Sequence, residues 1–338
     1  MKKSLMMLGA AAMVLASCTQ NEVMEVAENR AIKFDNAFVG NVTKADIAND
    51  NSFTKFYVFG DAKLTSGGEY HDVFTNDEVT GTWTNDPTPT ATWTAKEAYW
   101  EASSTYKFAA YSDGNNKHDK VTYSPTDGSE ALTFTEYTAG DNDLVAAINN
   151  TIATGTDVTS QSAVGLTFDH LLSKVQFTMQ TTAGVEYTVK VNSIKFSAVQ
   201  TTDATYNGTV TWKTAGKTAA EYSYNVTGME DITGGAKTSV KYVIPQSCAS
   251  ITATIALTIS GPGIPADKQD NTVTASMEFS KGNGAGTDDI WEPGFSYNYI
   301  AVIEPAKIID GLKVIEFKVD AVDGWTETTD QTPTINKQ

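Results

Sequence analysis

From residue 53 to residue 304 the chain returns repeatedly to short runs in which apolar and polar side chains alternate. A period of two belongs to strands, because successive side chains of an extended chain point to opposite faces. FTKFYVFG (53–60), SKVQFTMQT (173–181), YTVKVNSIKF (187–196) and SYNYIAVIE (296–304) show the pattern, and STYKFAAYS (104–112) and SVKYVIPQ (239–246) approach it. Threonine, valine, tyrosine and phenylalanine fill these runs, and Gly, Asn, Asp and Pro separate them. Each run offers one face to a core and the other to water. Helical patterning is thin: DNDLVAAINN (141–150) reads either as a short helix capped by an aspartate or as turns within a loop. The expected fold class is all-β. No repeat of fixed period is visible, which argues against propellers and solenoids.

At 338 residues the chain exceeds one comfortable core, so two domains are expected. The polar, glycine-containing stretch 149–162 marks the boundary. This gives an N-terminal domain over 31–155 and a C-terminal domain over 156–338. Roughly six or seven strands precede the boundary and roughly seven to nine follow it, each set enough for one β-sandwich.

The amino terminus, MKKSLMMLGAAAMVLASC (1–18), has the form of a secretory signal, with two lysines, an apolar run and small residues before a cysteine. The apolar run is shorter than the ~20 residues a helix needs to cross a bilayer. LASC (15–18) resembles the lipobox of bacterial lipoproteins, which implies acylation of Cys18 and removal of the residues before it. Two or three acyl chains, at ~0.8 kcal/mol per buried methylene, anchor a protein firmly where one does not. The only other cysteine is Cys248, so an acylated Cys18 leaves no intramolecular disulfide, and Cys248 reads as a small buried apolar residue. The formal net charge of -17 is spread without a basic cluster, which argues against nucleic acid and against anionic lipid surfaces as partners.

Convergent catalytic groups are scarce. His71, His118 and His170 lie far apart with no metal-ligand spacing, and no nucleophile elbow, phosphate loop or dinucleotide fingerprint is present. The reading is therefore no enzyme, no cofactor and no metal. Loops 112–119 and 282–289 carry oxygen ligands but lack EF-hand spacing, and turn-forming Asn, Asp and Gly account for them. Six tryptophans raise a rival reading, a surface glycan-binding lipoprotein that keeps its lipid at Cys18, although core or edge packing also explains scattered indoles.

One basic residue stands apart: Arg30, the sole arginine, sits in AENRAIKF (27–34) just before the first strand-like run, in a segment read as a flexible linker. Together AIKFDNAF (31–38) with TKA (43–45), EAYWEASSTYKFAAYS (97–112), DNDLVAA (141–147), VGLTFDHLLSKVQFTM (164–179), NGTVTW (207–212), YVIPQ (242–246) and IEFKVDAVDGWTE (315–327) resemble, in order, the fimbrillin family of Bacteroidales, subunits of type V pili. The resemblance implies two transthyretin-like β-sandwich domains in tandem and a structural role in a cell-surface pilus supporting adhesion. It implies an outer-membrane lipoprotein precursor, cleavage between Arg30 and Ala31 by a trypsin-like arginine-specific protease, and loss of the segment 19–30. The groove so opened would take a strand from a neighbouring subunit, with other stalk, tip or anchor proteins as partners and a host or bacterial surface receptor. The donor candidate is KVIEFKVDAV (313–322), with Val314, Ile315, Phe317, Val319 and Val322 as groove-filling residues. An anchor subunit that keeps its lipid is the alternative within the same family.

Overall fold

The computed structural model describes residues 30–39, 53–84, 90–149, 151–182, 186–262, 264, 272–279, 289–304 and 316–324. Among these the fold is all-β, with twenty-one strands in four sheets. Within 141–149 the chain is not helical, and its centre is no loop, because Leu144–Ile148 forms a strand, β8. Its sequence, LVAAI, does not alternate because both its faces are buried.

The largest sheet runs in the order β1 (Phe34–Val39), β10 (Val164–His170), β8, β5 (Ser104–Asp113), β2 (Lys55–Leu64), β3 (His71–Thr84) and β4 (Thr90–Thr94), with the short β9 (Ile152–Ala153) also on β5. One face of its central strands carries Phe56, Val58, Tyr106, Phe108 and Val145. The sheet curls around this face, so its end strands β1 and β4 come within contact distance without a ladder between them. Phe34 of β1 reaches the middle of the enclosed core, edge-on to Phe56, Phe74 and Phe108 at 5.7, 5.6 and 6.1 Å between ring centroids.

The opposite face, with Tyr57, Ala109, Tyr111 and Ala146, is covered by a four-stranded sheet of β14 (Val210–Trp212), β13 (Thr201–Tyr206), β7 (Ala131–Thr138) and β6 (Val121–Ser124). Aspartate–tyrosine bonds fasten the layers, Tyr137 Oη to Asp113 at 3.0 Å and Tyr206 Oη to Asp169 at 2.6 Å. Lys107 of β5 adds a buried cation, 2.7 Å from Asp127 and also paired with Glu130, both on the β6–β7 turn. Burial alone would pull this ammonium down, but the two carboxylates hold it above its usual range.

A second pair of sheets encloses a separate core. One contains β16 (Ala236–Lys237), β17 (Lys241–Val243), β11 (Ser173–Thr181), β20 (Phe295–Ile303) and β21 (Glu316–Gly324). The other is β15 (Ala219–Ser223), β12 (Thr188–Val199), β18 (Thr252–Ser260) and β19 (Thr272–Glu278). Alternation is strict here: Val175, Phe177 and Met179 of β11 face inward, as do Ala253, Ile255, Leu257 and Ile259 of β18. In β12 the inward series steps from Val191 to Ile194, where the register with β18 shifts at a bulge.

Hydrogen bonding crosses the segment 149–162. β10 pairs with β1 and β8, and β13 and β14 join β6 and β7. Only Leu171 and Leu172 separate β10 from β11, and only Gln200 separates β12 from β13, so two strands run directly from one sheet pair into the other. Gln200 exchanges bonds with Ala139 at 2.9 and 3.0 Å where they cross.

Gly81 faces Trp93 across the β3–β4 ladder, and a Cβ there would lie 2.5 Å from the indole. That indole packs against Phe53 and Phe56, leaving it little room to retreat. Gly81→Ala is expected to destabilise the protein by about 1–3 kcal/mol in urea unfolding, as overpacking does. A neutral effect would mean the indole is free to move.

Candidate functional site at the amino-terminal seam

The curled sheet is closed beyond the ends of β1 and β4 by a short seam. Arg30 O accepts from Trp100 N at 2.9 Å and Ile32 N donates to Ala98 O at 2.8 Å, making Ala31 and Tyr99 an antiparallel bridge. The guanidinium follows its backbone: Arg30 Nη2 donates to Trp100 O at 3.0 Å. Arg30 is thus half-buried and tied to a strand-like segment, not held out in a flexible linker. Sequence reasoning missed its partner, because EAYW (97–100) is too short to show a period.

Trp100 is 1% exposed and lies edge-on to Tyr106 at 4.7 Å. Two N–H donors at this seam, Arg30 Nε and Trp100 Nε1, are buried without an acceptor among the described residues. Such groups cost free energy, so the closure is less stable than its bond count implies. Ile32 and Phe34, which follow the Arg30–Ala31 bond, enter the core at 5% exposure each. Phe34 then opens the parallel ladder to Val164 of β10.

The other sequence candidates lie apart from the seam. Cys18 and the segment 19–29 lie outside the described residues, as do Val314 and Ile315. Phe317, Val319 and Val322 fall in β21, which pairs antiparallel with β20 of its own chain at the edge of the five-stranded sheet. Phe317 stands opposite Ala301, Val319 opposite Tyr299 and Val322 opposite Tyr297. Cys248 is buried, and burial pushes its thiol up to about 11, which keeps it unreactive.

The histidines have separate partners. His71 Nε2 lies 3.1 Å from Glu101, and His170 Nδ1 lies 2.6 Å from Asp143 where β10 leaves the large sheet. His118 N donates to Tyr111 Oη, and burial lowers its imidazole. Among the described residues no group of three or more His, Cys, Asp or Glu converges as a metal site would require. Trp93, Trp100 and Trp291 are buried, while Trp83 and Trp212 spend their indole N–H on Phe53 O and Leu171 O. None of these five presents a free flat face with an available donor. Trp325 lies outside the described residues.

One carboxyl pair is held in tension. Asp61 of β2 stands directly opposite Asp72 of β3 at 8% exposure. Burial pushes its carboxyl up to about 6, Asp72 adds to the rise, and His71 opposes it. Asp113 is also pushed up to about 6, by burial and then Asp143, against the Tyr137 hydroxyl.

The model of the fimbrillin-like family matches residues 42–320. The chain belongs to the fimbrillin-like family, a family of fimbrial structural proteins. Its fold is similar to that of a fimbrial protein from Bacteroides vulgatus, with a TM-score of 0.52, 16% identity, and coverage of 88% of this chain and 100% of that one. A candidate cell adhesion protein from Bacteroides ovatus gives 0.51 at 14% identity, covering 88% and 98%. Another from Bacteroides uniformis gives 0.50 at 18% identity, covering 88% and 98%. At these identities the likeness is one of fold. Among curated proteins nothing matches the chain.

The raised Asp61 value has a definite sign. A carboxyl that binds its proton more tightly folded than unfolded contributes stability fully below the ordinary value of 3.8, and loses it as pH rises through about 6. Asp61→Asn is therefore expected to raise stability at pH 7.5 by at most about 3 kcal/mol and to flatten the decline between pH 4 and 7. The remaining slope belongs to groups such as Asp113. Equal denaturant midpoints for the variant and the parent at pH 7.5 would contradict it.

Proposed function

We propose that this chain is a structural subunit of a cell-surface fimbria, exported as a lipoprotein precursor acylated at Cys18, cut after Arg30 and polymerised by strand donation. Family membership supports the fimbrial part. The LASC sequence supports acylation at Cys18, and the seam supports the cut after Arg30. Segment 30–32 closes the gap between the two end strands of a curled sheet, so a cut after Arg30 removes both bonds that Arg30 makes to Trp100. Trp100 N and O then lose their partners beside an aromatic core. An opened edge of this kind is costly in water and complementary to an incoming extended strand.

β21 is the strand offered. Among the described residues it lies at the edge of its own sheet and is held there by a single neighbour, β20. Leaving β20 to enter a neighbour's groove exchanges one ladder for another. Head-to-tail donation of this kind does not close on itself, so it builds a filament. The partners are then other pilus subunits, an arginine-specific protease and, for the precursor, the outer membrane.

Arg30→Ala is expected to leave the precursor folded, with a thermal transition lowered by no more than a few degrees for the lost bond to Trp100 O, and to abolish filaments on the cell surface in negative-stain images. Filaments of unaltered number and length in that variant would overturn the role given to Arg30.

A further inference from the structure

We infer that Arg30 is a latched cleavage site: in the folded chain the pairing of residues 30–32 with residues 98–100 holds the Arg30–Ala31 bond shut, and the opening of this seam sets the rate of processing. The inference rests on the reading of Arg30 as the processing site and names how that site is regulated.

A protease binds the residues around its target bond as an extended strand, through backbone N–H and C=O groups on both sides, with the arginine side chain in a pocket. Here those groups are in use. Arg30 O is bonded to Trp100 N, Ile32 N to Ala98 O, and the guanidinium to Trp100 O. Further along, Lys33 O accepts from Val164 N at 2.8 Å. The side chains of Ile32 and Phe34 are buried on the same stretch. Offering Arg30 to a protease therefore requires peeling the chain from Trp100 and drawing Ile32 out of the core.

The two buried donors without acceptors, Arg30 Nε and Trp100 Nε1, set the balance the other way. The seam is closed, yet these unpaired donors lower the cost of opening it locally, ahead of global unfolding. When opening and reclosing are fast relative to cleavage, the cut follows the population of the open form. A folded precursor is then cut slowly, and whatever loosens the seam speeds its conversion.

The sole arginine makes the test clean, since an arginine-specific endoprotease gives one cut. The full chain from residue 19, expressed without lipid, would be digested beside a synthetic peptide of residues 24–36. The folded chain is expected to be cut at least about a hundredfold more slowly than the peptide, as cleavage through a minor open state requires. Ile32→Ala, which loosens the seam without touching Arg30, is expected to raise the rate by about tenfold or more. Amide exchange at Ile32 and Trp100, measured on the same samples, should rise in parallel, while unchanged exchange in β11 and β18 of the separate core shows that the variant is still folded elsewhere. Cleavage of the folded chain at the peptide's rate overturns the latch, as does an unchanged rate in a variant whose seam amides exchange faster. A chain that is cut slowly through its open form in solution but recovered uncut from cells keeps the latch and rejects the processing reading, so the two failures are separable.

Discussion

The large sheet has to be covered on both sides, and most of the architecture follows from that. β5 carries Tyr106 and Phe108 toward one core and Ala109 and Tyr111 toward another, and β2 and β8 do the same. A sheet with two apolar faces cannot stand as half of a simple sandwich. One face is enclosed by the sheet's own curl. The other is enclosed by a small sheet, half of which, β13 and β14, is supplied from beyond β12. That strand loan joins the two halves of the chain through directly continuing strands.

The same burial decides how much could be read in advance. Where one face is wet, as in β11 and β18, the alternation in SKVQFTMQT and TATIALTIS is clean and the inward residues follow from it. Even the slip in YTVKVNSIKF, from Val191 to Ile194, is the trace of a bulge. Where both faces are dry the period vanishes, which is why LVAAI has no strand signature of its own. Polar composition at 149–162 hides β9 and the core residue Val158, and composition carries no information about which strands pair across the stretch. Pairing across long separations, such as β1 with β10 or Arg30 with Trp100, leaves no local pattern at all.

The candidate site was legible in one respect. A lone arginine before the first strand is plain in the sequence, but its setting is not, and the structure has a bonded seam where a flexible linker is expected. The difference is mechanistic. A protease site in a linker is open at all times, whereas one in a seam couples the cut to the loss of a structural element. Trp100 links the two, since its backbone holds Arg30 and its ring belongs to the core.

The most direct test of this account is the intact mass and amino-terminal sequence of the protein recovered from the cell surface. The expected result is a chain that begins at Ala31 and carries no lipid. A chain that still begins at an acylated Cys18 would contradict it, and would make the protein a membrane-held anchor or surface lipoprotein.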